Sequence, residues 1–330
     1  MNMKKNTDWK ETAKKFLSSL LIDNPSLFEA PRVPGKGRGL DYYATSAFLS
    51  VLSTTLQEFH FNHQRLPDLV NLPKTCDHFF KMKFFNQMLM RPNPASKLNA
   101  RRYIPNEIKD LIRPPVCYWS STTPTLPPDE EIPAGTYWLK LDLGWHAQEI
   151  IEWPPSLAER KRLNEKCESW MNGHRHGLAN GEWWYGIGEQ RIFLEEDLSE
   201  VILQGTEINI FVRNGHPKIY HNVVYDKEYP GSMTVNYFDA NKQIIKGTRS
   251  YGRNGEHTIT DHILTSIENI DEYLLCAAEI GKPFDLVRVD IFTKKNSKPV
   301  LGELSFCVGS GTHVYHPDTM EETIRSALFE

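Results

Sequence analysis

Long apolar runs are missing from this 330-residue chain. The least charged stretch, Tyr42 to Gln57, is shorter than the roughly 20 apolar residues of a membrane-spanning helix, and Ser and Thr dilute it. The N-terminus begins basic, but Lys14 and Lys15 interrupt any apolar core, so it lacks the hydrophobic region of a secretory leader and reads as an amphipathic helix. Paired cysteines are missing too. Cys76, Cys117, Cys167, Cys276 and Cys307 are scattered, odd in number and form no CxxC, which argues against a disulfide framework and for reduced thiols in a cytoplasm. There is no excess of positive charge: the formal net charge is −4, which removes any general attraction to nucleic acid or acidic lipid. A P-loop sequence is absent, and no helix pattern follows Gly186 and Gly188, so they form no dinucleotide fingerprint. His174 and His176 stand two apart without an evident third ligand, so no zinc site is assigned. The chain shows no internal repeat and no low-complexity tract.

What is present is ordinary globular material, 40% hydrophobic and 24% charged, enough for two or three subdomains. Residues 8–22, 40–60 and 79–91 have helical spacing, and the aromatic and Met residues of the last read as core. Helical spacing over 96–115 breaks at Pro105, and a Pro- and Thr-rich connector follows over 120–135. Residues 136–143 and 190–198 read as strands, and 156–172 as a helix with Ser156 as N-cap. Residues 206–226 give a strong hairpin signal, with Asn214-Gly215 suited to a type I′ turn, and 232–241 adds a strand. A polar, basic loop spans 246–257, a helix closed by Gly281 spans 260–281, and a glycine-containing loop leads into a short terminal helix. Strands pair with sequence neighbours and helices intervene, which is α+β organisation rather than a doubly wound sheet.

The most informative stretch is FDLVRVDIFTKKNSKPVLGELSF, Phe284 to Phe306. It reads as two strands around a polar turn. Alternation puts Val287, Val289 and Ile291 on one face of the first strand and Arg288, Asp290 and Phe292 on the other. The register that keeps both faces consistent sets Val289 opposite Leu304, Arg288 opposite Ser305 and Asp290 opposite Glu303. Directly opposed like charges are destabilising, so two carboxylates in this relation call for a cation, and hard oxygen ligands suit Mg²⁺. A solvated hairpin, with Lys294, Lys295 and Lys298 neutralising the acids, is the plain alternative.

Taken in order, these pieces resemble an ATP-grasp enzyme, and within that superfamily the teichuronopeptide-biosynthesis (TupA-like) subgroup of polysaccharide gene clusters. The resemblance runs over roughly residues 75–320 and is most specific at VRVDIF…VLGELSFCVGSG. RIFLEEDL resembles the family's nucleotide hinge strand, EINIFVRNGHPKIY its next hairpin, SKLNARRYI an early helix, and YWLKLDLG its phosphate-binding strand. The resemblance implies an ATP-grasp fold in which two α+β subdomains clamp ATP. They are a smaller, lid-like one with its connector (96–190) and a C-terminal one with the metal hairpin (191–330), after a mainly helical N-terminal region (1–95). It implies that Lys140 contacts the ATP phosphates, that Lys97 or Arg101 adds a second cation, and that Glu195 and Glu196 hold adenine and ribose. By the same resemblance Arg288 faces the γ-phosphate or an acyl-phosphate, and Asp290 and Glu303, with Ser305 beside them, hold Mg²⁺. By charge and position, Arg249 and Arg253 of the basic loop are candidates to hold an acidic substrate, with Ser310 of the glycine loop.

The chain departs from the family pattern at several places. Ser96 replaces an Asp before Lys97, Glu207 and Asn209 stand for Asp and Lys, Ser305 stands for Asn or Thr, and the loop after Lys140 has one glycine. The implied activity is a cytoplasmic carboxylate–amine ligase. It would use ATP and Mg²⁺ to form an amide through an acyl-phosphate, on a uronic acid or amino-acid carboxylate of surface polysaccharide biosynthesis, with no nucleic-acid partner and no membrane insertion. Three alternatives stay open: a kinase-like phosphotransferase, a nucleotide-binding scaffold of a polysaccharide assembly complex, and a metal-dependent hydrolase that uses no ATP.

Overall fold

Apolar spacing makes the N-terminal region helical. The computed structural model describes the chain except residues 1–6, 29–30, 34–35, 38–44, 87–91, 145–146, 174–181, 187, 205, 226–232, 252–254, 258–266, 268 and 295. Helix α1, Trp9–Asp23, starts where the Asp8 carboxylate accepts from Lys10 N and Glu11 N. Helix α2, Ser46–His63, is capped by Thr45 Oγ1; residues 40–44 of the expected helix lie outside the described residues. Helix α3, Thr75–Lys81, begins earlier than the spacing suggested and runs on as a π-helical turn, Met82–Asn86; 87–91 lie outside the described residues. Its early start has a cause in Asp77. That buried carboxylate takes both arms of Arg65 (2.7 and 2.8 Å), Asp68 N (2.9 Å) and Lys74 N (3.1 Å). Phe28, Phe48, Phe59, Phe80, Phe84 and Phe85 fill the core of this region in edge-to-face pairs. The aromatic run is core, as expected.

The second unit is a four-stranded antiparallel sheet in the order β3-β6-β4-β5. Its strands are β3 (Cys117–Ser121), β4 (Gly135–Leu141), β5 (Gln148–Trp153) and β6 (Ile192–Glu196). (Pro31–Val33 and Lys36–Gly37 make a separate ribbon, β1 and β2.) One face buries Leu139, Leu141, Ile151, Trp153, Ile192 and Leu194 against Leu163, Cys167 and Trp170 of a helix at Leu157–Gly173. Two expectations change here. Ser120 and Ser121, read as connector, pair with Phe193 and Ile192. Residues 148–153, read as loop, form β5, because Ile151 and Trp153 alternate with exposed neighbours. The expected division after residue 190 cuts β6 from this sheet, since β6 lies between β3 and β4; the sheet ends at Glu196.

The third unit is a six-stranded antiparallel sheet in the order β10-β9-β8-β7-β13-β14. Its strands are β7 (Thr206–Arg213), β8 (His216–Tyr225), β9 (Met233–Asp239), β10 (Ile244–Ile245), β13 (Leu286–Thr293) and β14 (Val300–Ser305). Asn214 and Gly215 both have positive φ, as the type I′ turn between β7 and β8 requires. Ile208, Ile210, Val212, Val287, Val289 and Ile291 meet Cys276, Ala277 and Ile280 of a helix at Ile270–Gly281. A Cβ at Gly281 would collide with Val212, so this glycine serves close helix–sheet approach. The described part of this helix starts at Ile270, later than expected, because Asn269 is left-handed (φ 62°).

Residues 246–257, expected as a loop, instead contribute β11 (Thr248–Tyr251) and β12 (Gly255–His257), which join β15 (His313–His316) in a small sheet. The terminal helix, Asp318–Phe329, ties the N-terminal region to the rest: Glu321 accepts from Thr75 N at 2.5 Å, and Phe329 stacks on His78 at 4.2 Å. All five cysteines are free thiols. Among the described residues no helix is long and apolar enough to cross a membrane.

Burial, aided by Arg65, pushes the His63 imidazole down to about 4, and burial with Arg325 does the same to His78. In the unfolded chain both titrate near 6.5. Below that pH the unfolded state takes up protons that the native state refuses, so stability falls with pH from 6.5 toward 4. Melting temperatures should therefore drop between pH 7.5 and 5. The His63→Gln/His78→Gln variant should show a flatter dependence; an unchanged slope would mean these rings carry none of it.

Candidate active site

Register places the carboxylates. Along β13 and β14, Arg288 faces Ser305, Val289 faces Leu304 and Asp290 faces Glu303, as the face argument required. The pairing then shifts by one residue, so that Ile291 faces Leu301 and Gly302 is extra. This bulge keeps Glu303 on the polar face and returns Leu301 to the apolar one. A Cβ on Gly302 would sit 2.7 Å from Phe292 Cε2 and 3.2 Å from the Asp290 carbonyl oxygen, so no other residue fits without displacement. On the other edge of β13, Asp290 faces Asn209 of β7; Asn209 faces His221 of β8, and His221 faces Tyr237 of β9. One face of the sheet thus carries a continuous polar row, Glu303–Asp290–Asn209–His221–Tyr237.

The cation called for by the opposed carboxylates is Arg288 itself. Its Nε and Nη2 fork onto Asp290 at 2.6 and 2.5 Å, Nη2 donates to Ser305 Oγ at 3.2 Å, and Glu303 Oε1 lies 3.7 Å away. Burial works against the Arg288 charge, but Asp290, Glu303 and Glu207 outweigh it and hold its pKa above the ordinary guanidinium range. Burial raises the Glu303 pKa less than Lys97, Arg288 and the Ser305 hydroxyl lower it, so the net shift is downward. Ser305 Oγ donates to Glu303 Oε1 at 3.0 Å and lies 3.5 Å from Asp290 Oδ2, which places all three proposed metal residues together.

Lys97 stands where the two sheets meet. It opens a short helix, Lys97–Ala100, beside β14, with Ser96 Oγ as N-cap. Ser96 and Leu98 N both donate to the buried Asp142 carboxylate, whose pKa burial pushes up. The Lys97 ammonium donates to the carbonyls of Asp142 (3.1 Å) and Gly144 (2.5 Å). Burial lowers its pKa, against the opposing charges of Glu303 and Asp142 and with the repulsion of Lys140. Lys140, only 16% exposed, bonds Glu195 Oε1 at 2.5 Å and lies 5.3 Å from the Trp138 ring; all three side chains share the sheet face away from the helix.

Other expected residues are placed elsewhere. Glu196 faces the opposite side of β6 from Glu195, where it pairs with both arms of Arg113 and accepts from Val116 N. The two glutamates therefore do not act as a pair. Arg101 lies beside the Cys117 thiol, whose pKa burial raises. Arg249 is in a strand, 3% exposed, with Nη1 on Tyr237 Oη at 2.9 Å, and is no surface loop residue. Arg253, the Ser310 side chain, His174 and His176 lie outside the described residues. Sequence reading missed Asp142, Arg113 and the Asn209–His221 contact; Gly302 inside a strand was the available sign of the bulge.

The donor chemistry suits the groups expected. Two carboxylates and a hydroxyl are hard oxygen donors for Mg²⁺, and three buried or half-buried cations (Lys97, Lys140, Arg288) converge on one seam. No protein-family model matches the chain, and no curated protein matches it. Among solved structures it is similar to the ATP-grasp ligase PsnB: 12% identity, 68% of this chain, 56% of that one, TM-score 0.36. D-alanine–D-alanine ligase from Bacillus anthracis is similar at 15% identity, 66% of this chain, 58% of that one, TM-score 0.38. For D-alanyl-alanine synthetase A from Vibrio cholerae the figures are 12%, 79%, 69% and 0.39. The chain thus spans less than two thirds of the length of the first two.

Gly302→Ala should destabilise the protein by about 1–3 kcal/mol, the usual range for forced overpacking. Urea denaturation checks this; a loss below about 0.5 kcal/mol would show that the bulge has room.

Proposed function

We propose that this protein is an ATP-dependent carboxylate–amine ligase of the ATP-grasp type, forming an amide through an acyl-phosphate. The observation that carries the reading is the seam at Lys97. Lys97 opens a helix packed on β14, the strand of Glu303, and its ammonium bonds the carbonyls of Asp142 and Gly144 just past Lys140 of the other sheet. Lys97, Lys140 and Arg288 each rest on an internal acceptor, and a chain of phosphates is the ligand that engages all three at once.

Asp290, Glu303 and Ser305 would hold Mg²⁺, which supplies charge neutralisation at the transferring phosphoryl group. Arg288 would exchange its carboxylate partner for the phosphoryl or acyl-phosphate oxygens, to which a planar fork is equally suited. Lys140 and Lys97 would position the phosphates, with Glu195 at the nucleotide side of Lys140. The sequence resemblance supports a uronic acid or an amino-acid carboxylate of surface polysaccharide biosynthesis as the acid, and an amine as the second substrate. The scattered free thiols support a cytoplasmic location.

Calorimetry of ATP binding tests the proposal. Binding should depend on Mg²⁺ and be lost in Asp290→Ala/Glu303→Ala; a folded wild-type protein that binds no ATP would rule the ligase out. Arg288→Lys should keep nucleotide binding within about tenfold while slowing amine-dependent ADP release by about 100-fold or more, the scale for a lost charge-stabilising donor. Equal slowing of both would assign Arg288 to binding alone.

A further inference from the structure

Asn209 occupies the middle of the polar row, directly opposite Asp290 on one side and His221 on the other. It is 2% exposed. Its Nδ2 lies 3.0 Å from Glu207 Oε1 and 3.0 Å from His221 Nε2. Glu207 Oε1 accepts from the amide nitrogen, which fixes which amide atom faces it. Nδ2 therefore donates to both neighbours, and His221 carries its proton on Nδ1. What remains is Asn209 Oδ1, a buried acceptor with no hydrogen-bond partner among the described residues. Buried amide oxygens are almost always satisfied, so an orphan on the residue facing Asp290 calls for a water or a cation as partner.

The metal set is short of such an atom. Among the described residues no three His, Cys, Asp or Glu side chains gather to hold a metal. Asp290 and Glu303 give two carboxylates and Ser305 a hydroxyl, and Arg288 bonds both Asp290 and Ser305. Asn209 stands on the same face as both acids, one strand over. We infer that Asn209 Oδ1 is a further protein ligand of the divalent cation held by Asp290 and Glu303 with Ser305, supplied from the neighbouring strand. This rests on the ligase reading of the same site. It gives a role to a residue at which the chain departs from the pattern it resembles: an amide stands where that pattern has a lysine. Glu207 and His221 are then positioning residues, which hold the amide nitrogen so that the oxygen is presented.

The test is Mn²⁺ binding to the full chain in the presence of ADP, by calorimetry and by the Mn²⁺ paramagnetic resonance spectrum, with melting temperatures as folding control. Asn209→Leu removes the oxygen at similar volume and should weaken Mn²⁺ at least about tenfold and alter the spectrum. Asn209→Asp keeps an oxygen and adds charge, and should bind at least as tightly as wild type. If Asn209→Leu fails to fold, the Asp variant decides: tighter binding supports the ligand role, weaker binding overturns it. Binding that is lost in Asp290→Ala but unchanged in Asn209→Leu overturns this inference and leaves the ligase proposal standing. No Mn²⁺ binding by wild type overturns both.

Discussion

Two carboxylates held opposite each other across a strand pair impose the constraint on which the rest of the site depends. Asp290 and Glu303 cannot share that relation without a positive neighbour, and the sheet supplies one two residues away, on the same face, as Arg288. The bulge at Gly302 is the backbone's share of the arrangement. Without it, Glu303 and Leu301 would compete for one face, and either the polar row or the apolar core would lose a member. A local irregularity of one residue therefore reconciles a buried charge cluster with a continuous hydrophobic face packed on the helix at Ile270–Gly281.

The same logic extends across the seam. Lys97 and Lys140 are held by a backbone carbonyl pair and by Glu195, and Ser96 and Leu98 are pinned by Asp142. These internal contacts keep long side chains from collapsing onto solvent and reduce the conformational freedom they would lose on meeting an anion. Each cation thus gives up part of its hydration in folding.

Much of this was readable in advance because alternation is a strong signal in half-buried strands. The register of β13 and β14 followed from keeping Val289, Ile291 and Leu304 together, and the I′ turn followed from Asn214-Gly215. Arg288, Asp290, Glu303 and Ser305 lie together because β13 and β14 are neighbours, Lys140 and Glu195 because β4 and β6 are neighbours in the other sheet, and Lys97 opens the short helix beside β14. The failures have physical causes. Glu195 and Glu196 are neighbours in sequence, but a strand sends them to opposite faces, and Arg113, eighty-three residues away, claims the second. Arg249 looked like a loop cation because its strand is four residues long and its partner, β15, comes from beyond residue 312. Asn209 was legible only as a departure, since its meaning depends on Glu207 and His221 together.

Arg113 has a mechanical side as well. Its backbone bridges to Val300 and its carbonyl accepts from Leu301 N, at the far end of β14 from the site; its side chain grips Glu196, the last residue of β6. One residue thus pins a corner of each sheet to the other. With the Lys97 helix, which packs on β14 and bonds the carbonyls of Asp142 and Gly144 beyond β4, the two sheets are tied at more than one place.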